Sequence, residues 1–149
     1  MRTLPGLNPD MLKSPIVIID DDADDCYLLT TALKEVGVKN ECLCFNSAAQ
    51  ALMYLKTTPL KTFIIVCDIN MPHMNGYQFK KLLNEDLTLD SKKIPFIFFS
   101  TSNDETMVAN AYKLNINGYF QKPSDYLKLI ELSHYILNYW TNNEYPQFN

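Results

Sequence analysis

The chain has 149 residues, about the length of a single domain with one hydrophobic core. It is 47% hydrophobic and no apolar run is long enough to cross a bilayer, so its composition predicts a well-packed soluble protein. The formal net charge of -4 and the lack of a clustered basic face argue against a nucleic-acid surface. Residues 1–13 lack the apolar block of a secretory signal, so we expect an ordinary tail and a cytoplasmic protein.

Short apolar runs alternate with segments of helical period along the whole chain. The predicted strands are IVII (16–19), ECLCF (41–45), FIIVC (63–67), FIFF (96–99) and GYFQ (118–121). The first, third and fourth are apolar throughout, which is typical of central strands, whereas the second and fifth contain polar residues that suit edges. This pattern predicts an α/β fold, with a five-stranded parallel sheet of order 2-1-3-4-5 and five helices on both faces.

The helices are predicted from apolar spacing and capping residues. The first two have apolar faces formed by Leu28, Leu29, Ala32, Leu33 and Val36 and by Ala48, Ala51, Leu52 and Leu55. The other three are expected to begin near Tyr77, near Asp104 behind the capping-box pattern of residues 102–105, and near Asp125.

Polar residues follow the carboxyl ends of four predicted strands. Asp20 and Asp21 follow the first strand, Asp68 the third, Ser100 the fourth and Lys122 the fifth. In the order 2-1-3-4-5 these ends flank the switch point where ligands bind. Converging carboxylates repel each other unless a cation lies among them, and a few hard oxygen ligands suit Mg²⁺ together with phosphate oxygens. A lysine and a hydroxyl would serve a phosphoryl group, so Asp68 is the natural attachment point.

The segments IIDDD, VCDINMPHMNG, FFSTS and GYFQKP resemble the motifs of the receiver domain of two-component response regulators. Their spacing also agrees, with 47 positions from Asp21 to Asp68, 32 from Asp68 to Ser100 and 22 from Ser100 to Lys122. The resemblance covers about residues 14–141. It implies a flavodoxin-like, stand-alone, chemotaxis-type regulator with tails at 1–13 and 142–149 and no output domain.

The resemblance implies a role for each acidic residue of this site. Asp68 matches the phospho-acceptor, Asp21 a direct ligand of Mg²⁺, and Asp20 a ligand that acts through water. Asn70 matches the residue whose backbone carbonyl completes the metal shell. The turn that leads into the third helix is matched by Pro72 and Gly76.

The resemblance also implies a set of residues that bind and sense the phosphoryl group. Ser100 matches the conserved hydroxyl, although threonine is commoner there, and Tyr119 matches the aromatic switch. Lys122 matches the phosphate-binding lysine, whose bond to the residue matched by Pro123 is cis in the family. The segment 84–94 is longer than in the shortest members, and its role is left open.

Such a protein accepts a phosphoryl group on Asp68 from a histidine kinase or histidine phosphotransfer protein. It then acts through phosphorylation-dependent contacts with a downstream protein. We expect self-catalysed phosphotransfer and slow autodephosphorylation rather than an enzyme with a separate substrate. No nucleic-acid or membrane partner is expected, and the oligomeric state is left open.

Two alternatives of other classes use the same features. A Mg²⁺-dependent phosphatase with an aspartate nucleophile would need a second Asp two positions after Asp68 and Thr or Val four positions after it, where this chain has Asn70 and Pro72. An adaptor with this fold that is never phosphorylated is the other alternative. The two histidines, His73 and His134, are interpreted as structural or solvent-facing.

Other kinds of metal site fit the sequence poorly. An EF-hand loop counted from Asp20 would put Asp25 at the glycine position and Thr31 at the bidentate glutamate position. No CxxC pair or nearby histidine completes a zinc spacing. The cysteines are therefore interpreted as small core residues without disulfides: Cys26, Cys42, Cys44 and Cys67.

Overall fold

The computed structural model describes residues 14–142, so the tails expected at 1–13 and 142–149 lie outside it except for residue 142. Eleven elements follow in chain order: β1 (Ile16–Ile19), α1 (Ala23–Glu35), β2 (Cys42–Phe45), α2 (Ala48–Thr57), β3 (Ile64–Cys67), α3 (Gly76–Glu85), α4 (Leu87–Ser91), β4 (Phe96–Ser100), α5 (Glu105–Tyr112), β5 (Gly118–Gln121) and α6 (Tyr126–Asn142).

The five strands form one parallel sheet in the order β2-β1-β3-β4-β5, which confirms the predicted topology. All residues of β1, β3 and β4 are buried, whereas most residues of β2 and β5 are at least partly exposed. The apolar and mixed runs of the sequence therefore correspond to central and edge strands, because only a central strand is covered on both faces.

Successive residues of each strand point to opposite faces of the sheet, and this alternation divides the core in two. On one face, Ile16 and Ile18 pack with buried residues of α1 and α6. On the other, Val17 and Ile19 pack with buried residues of α2, α3 and α5. The helices thus cover both faces and leave the carboxyl ends of the strands open at one edge.

The structure has six helices within residues 14–142, one more than predicted. The extra helix, α4, lies in the long segment after α3 and has only five residues. The side chain of Asp86 caps it by accepting a hydrogen bond from the Leu89 backbone N–H at 3.0 Å, and Leu89 is buried. No helix of the described region is long and apolar enough to cross a membrane.

Two details of the predicted helices are wrong. In α1, Leu28 is 41% exposed and Cys26 lies on the buried face, because Cys26, Leu29 and Leu33 follow the helical repeat. The predicted start of α5 near Asp104 is confirmed, but its cap is Asp104 and not Ser102, the first residue of the capping-box pattern. Asp104 accepts hydrogen bonds from the backbone N–H groups at 106 and 107, whereas the Ser102 hydroxyl accepts one from the Asp104 N–H.

Cys26 of α1 and Cys44 of β2 are joined by a disulfide, with their Cα atoms 6.3 Å apart. The interpretation of every cysteine as an unpaired core residue is therefore wrong for this pair. The cause is tertiary, because the packing of α1 beside the edge strand brings together two residues 18 positions apart. The other two cysteines, Cys42 and Cys67, are free.

Candidate functional site at the carboxyl ends of the strands

Three carboxylates from two neighbouring strand ends meet at one edge of the sheet. Asp20 and Asp21 follow β1, Asp68 follows β3, and one carboxylate oxygen from each lies within 4.8 Å of the other two. Asp20 is 6% exposed and Asp68 is 9% exposed, whereas Asp21 faces solvent. The parallel pairing of β1 with β3 produces this meeting, because it sets Ile19 beside Cys67, each just before an aspartate.

The acidic run at the start of α1 divides into two structural roles. Asp22 is the N-cap of α1, and its side chain accepts hydrogen bonds from the backbone N–H groups of Asp24 and Asp25. Asp20 accepts a hydrogen bond from the Asp22 N–H at 2.9 Å. The cap and the carboxylate cluster are therefore built together, and the cap alone does not account for Asp20 and Asp21.

Lys122, at the end of β5, places its ammonium group among these carboxylates. Its Nζ lies 2.7 Å from Asp20 Oδ2, 3.0 Å from Asp25 Oδ2 and 3.6 Å from Asp68 Oδ2. The lysine side chain is 11% exposed. Lys122 thus contacts three carboxylates, and that of Asp21 lies close to two of them, so the site keeps an excess of negative charge.

The peptide bond between Lys122 and Pro123 is trans, as are all other peptide bonds within residues 14–142. The cis bond implied by the family resemblance is therefore not found. A trans bond before proline is favoured by only about 0.5–1 kcal/mol, so local contacts decide the isomer and the motif alone does not. Lys122 reaches the carboxylates with the trans bond in place.

Burial and charge shift the pKa values of the three most enclosed groups. Burial raises the pKa of Asp68 to about 6; the Lys122 charge lowers it and the Asp20 charge raises it further. Burial also raises the pKa of Asp20, against an opposing hydrogen bond from Lys122. Burial lowers the pKa of Lys122, but its hydrogen bond and charge interaction with Asp20 and the Asp68 charge outweigh this and hold that pKa above its usual range.

The donor set of the cluster fits a hard divalent cation. It contains carboxylate oxygens only, two of the three groups are buried, and their mutual repulsion favours an added positive charge. Asn70 lies two residues after Asp68 on the same loop and is exposed. It could add a backbone oxygen.

Gly76 shapes the loop that carries Asp68. A Cβ atom at position 76 would collide with the Asp68 backbone oxygen and lie 2.9 Å from both Ile69 Cα and Phe98 Cε1. The loop closes through a 2.8 Å hydrogen bond from the Gly76 N–H to the Ile69 carbonyl. The Ile69 N–H donates to Asp68 Oδ1 at 2.8 Å, which fixes the orientation of the carboxylate.

Ser100 and Tyr119 both contact the backbone of one residue, Ser102. The fully buried Ser100 hydroxyl oxygen accepts a hydrogen bond from the Ser102 N–H at 3.3 Å. The half-buried Tyr119 donates its hydroxyl to the Ser102 carbonyl at 2.6 Å, and its ring packs edge-on against Phe98. The β4–α5 loop is thus held at Ser102 by two side chains, one at the end of β4 and one in β5.

The structure brings Asp20, Asp21, Asp68 and Lys122 together, and both histidines, His73 and His134, are exposed as interpreted. Sequence reasoning missed two residues of the site. Asp25 was not predicted to belong to the site, although its carboxylate contacts a lysine 97 positions away. Ser102 was considered only as a capping residue. No local sequence signal marks either of them, because both roles depend on tertiary contacts.

The chain belongs to the response regulator receiver domain family, whose model matches residues 16–134. Response regulator Rcp1 of Synechocystis sp. is 24% identical over 131 residues, which cover 84% of this chain and 87% of Rcp1. Protein RcaC of Microchaete diplosiphon is 29% identical over 126 residues, or 85% of this chain but only 18% of RcaC. The chain therefore spans most of one relative and less than a fifth of the other.

Solved structures show the same fold. The phosphorylated cyanobacterial phytochrome response regulator RcpA is 25% identical, with a TM-score of 0.78 over 87% of this chain and 95% of RcpA. The Mn²⁺-bound form of Rcp1 is 22% identical, with a TM-score of 0.77 over 91% of this chain and 99% of that one. The predicted family and fold class are thereby confirmed.

Proposed function

We propose that the protein is a phosphorylation-dependent switch, in which Asp68 accepts a phosphoryl group from a histidine kinase or histidine phosphotransfer protein. The observation that carries this proposal is the position of Asp68 beside Lys122 within the carboxylate cluster, with 3.6 Å between Lys122 Nζ and Asp68 Oδ2. Family membership and the phosphorylated state named for the relative RcpA support it.

In the proposed step a carboxylate oxygen of Asp68 attacks the phosphorus atom of a phosphohistidine. The bond from phosphorus to the donor nitrogen breaks, that nitrogen keeps the electron pair, and an acyl phosphate forms on Asp68. The backbone N–H of Ile69 holds Oδ1, while Oδ2 lies on the side of Lys122. In this proposal Lys122 and the Ser100 hydroxyl bind oxygens of the transferred group.

The same proposal assigns the divalent cation. The carboxylates of Asp20, Asp21 and Asp68 and the backbone carbonyl of Asn70 would hold Mg²⁺, with Asp20 acting through water. When bound, Mg²⁺ supplies positive charge that neutralises the phosphoryl oxygens. The protein's own residues position the group, so phosphotransfer and slow autodephosphorylation need no separate active site.

Output is proposed to pass through the loop that Ser100 and Tyr119 share. A phosphoryl group on Asp68 would draw the Ser100 hydroxyl away from the Ser102 N–H and change the packing of Tyr119. The surface formed by α5, β5 and α6 would then change its affinity for a downstream protein. Only a few kcal/mol of preference between two packings is needed.

Phosphorylation can be tested with acetyl phosphate and Mg²⁺, followed by intact-mass measurement. We expect one added phosphoryl group on the native chain and none on Asp68→Asn. Asp90→Asn is the matched control, because it removes one carboxylate from the exposed pair with Lys93. An unmodified native chain, or equal modification of Asp68→Asn, would overturn the proposal and leave the non-phosphorylated adaptor as the better description.

A further inference from the structure

The disulfide between Cys26 and Cys44 lies beside the carboxylate cluster. Cys26 directly follows Asp25, whose carboxylate contacts Lys122 at 3.0 Å. Cys44 directly precedes Phe45, whose carbonyl accepts a hydrogen bond from the Asp20 N–H at 3.1 Å. Each half of the bond is therefore one residue away from a group that positions the site.

The two residues of this bond differ in exposure, and the Cys44 sulfur lies 3.6 Å from the Thr30 hydroxyl. Cys26 is 4% exposed, but Cys44 is an exposed residue of the edge strand β2. Both line an open hollow of about 380 Å³, and Asp20 and Cys42 line it too. A small thiol can therefore reach Cys44 from solvent, whereas Cys26 is shielded.

Contacts other than the bond hold both of its residues in place. Cys26 belongs to the hydrophobic cluster under α1, where a reduced thiol is an acceptable small apolar side chain. Strand β2 is held to β1 by backbone pairing from Cys42 to Phe45. Reduction would leave the core and the ladder in place and would release the first turn of α1 from the edge strand.

We propose that Cys26 and Cys44 form a reversible thiol–disulfide modification site that tunes the affinity of the neighbouring carboxylate cluster for its divalent cation. With the bond closed, the first turn of α1 and the end of β2 are tied together on either side of Asp20. With it open, Asp25 and Lys122 gain freedom, so the carboxylates are less well organised for a cation. The cation is the one assigned under the proposed function, so the proposal rests on that function, and an effect on phosphorylation of Asp68 would follow.

The chemistry is thiol–disulfide exchange with a small-molecule thiol such as glutathione. A thiolate attacks the sulfur of the exposed residue Cys44, the protein disulfide breaks, and the Cys26 sulfur leaves with the electron pair and takes a proton. A second thiolate attacks the mixed disulfide on Cys44 and releases the Cys44 thiol and a small-molecule disulfide. Oxidation is the reverse, with the small-molecule disulfide accepting the two electrons.

Cys42 provides the matched control. It lines the same hollow two positions before Cys44 but takes no part in the bond. Burial raises the pKa of the Cys42 thiol, which keeps it protonated and makes it a poor attacking group. Cys42→Ser should therefore keep the redox response, whereas the Cys26→Ser/Cys44→Ser double variant should lose it.

The test equilibrates the full chain with reduced or oxidised glutathione, counts free thiols by alkylation and mass, and measures Mg²⁺ affinity by calorimetry. In the reduced form we expect two more free thiols and an unchanged circular dichroism spectrum. Mg²⁺ affinity should be roughly three- to tenfold weaker, a smaller loss than mutation of an outer-shell residue usually causes. Oxidised glutathione should restore the bond and the affinity. The double variant should have the reduced-form affinity under both conditions.

Equal Mg²⁺ affinity in the two forms would overturn the proposal, as would a native chain with four free thiols in oxidised glutathione. Loss of the folded spectrum on reduction would also overturn it, because the bond would then be structural. None of these readouts needs phosphorylation. A chain that fails to accept phosphate but shows the redox shift would contradict the proposed function alone.

Discussion

The surroundings of Asp68 disfavour the ionised form of its carboxyl group. It is almost fully buried, lies against the Asp20 carboxylate, and has only partial compensation from Lys122 at 3.6 Å. Its pKa of about 6 means that, without a cation, the folded protein binds the Asp68 proton more tightly than the unfolded chain does. The residue that is proposed to react is also one that costs stability when ionised.

This cost predicts how stability changes with pH in the metal-free protein. Between about pH 4 and pH 6 the folded state holds the Asp68 proton and the unfolded state does not, so the free energy of unfolding falls as pH rises through that range. Asp68→Asn lacks this loss. Its stability relative to the native chain should rise from pH 4.5 to pH 7.5 by about 2 kcal/mol, because most of the shift from the ordinary pKa to about 6 lies above pH 4.5.

Denaturant unfolding in a chelating buffer measures this difference at each pH. Asp90→Asn serves as the control for loss of one negative charge at an exposed carboxylate. A difference between Asp68→Asn and the native chain that stays constant across the range would contradict the burial of an ionised Asp68.

At the scale of elements, the β4–α5 loop joins the carboxylate site to α5. Ser100 fixes the Ser102 N–H and Tyr119 fixes the Ser102 carbonyl, so one peptide segment is held from two strands. Asp104 then caps α5 two residues later. Any movement of the Ser100 hydroxyl towards a group on Asp68 must change the first of these contacts.

Removing either contact should weaken the transmission of a signal from Asp68 to α5. With Mg²⁺ and fluoroberyllate, the native chain should show amide chemical-shift changes at both Ile69 and residues 105–112. Ser100→Ala and Tyr119→Phe should keep the change at Ile69 and lose most of the change in α5. A hydrogen bond is worth about 1 kcal/mol, which alters a two-state ratio about fivefold.

Tyr112→Phe is the control for the tyrosine variant, because Tyr112 is an exposed residue of α5 itself. Its α5 response should resemble that of the native chain. A full α5 response in Ser100→Ala would show that the signal leaves the site by another route, even with ligand bound at Asp68.

Element boundaries show where sequence reasoning succeeds and where it fails. Strands β1 and β5 have the predicted bounds, because each is followed directly by a charged residue, Asp20 or Lys122. The helix α4 was missed because five residues with one buried leucine carry too short a pattern. Helix α5 begins beside Asp104 as predicted, but the capping box of residues 102–105 does not form, because Ser102 and Asp104 are both good capping residues and loop packing decides between them.

At the scale of the whole molecule, topology explains why the site could be predicted. The order β2-β1-β3-β4-β5 puts the ends of β1 and β3 side by side, so residues 48 positions apart in the chain become neighbours. Contacts that depend on side-chain reach or helix placement could not be predicted this way. The pair of Lys122 with Asp25 and the bond between Cys26 and Cys44 are of that kind.

Locating the phosphoryl group on the chain is the most direct test of the proposed switch, because the sheet topology brings three aspartates together and only Asp68 is proposed to react. The chain can be treated with acetyl phosphate and Mg²⁺, reduced with borohydride to convert an acyl phosphate into a stable alcohol, and digested for peptide mass mapping. We expect the reduced side chain at Asp68 alone, and no such product when Mg²⁺ is removed with a chelator. Modification at Asp20 or Asp21 instead, or equal modification of Asp68 without Mg²⁺, would contradict the switch described here.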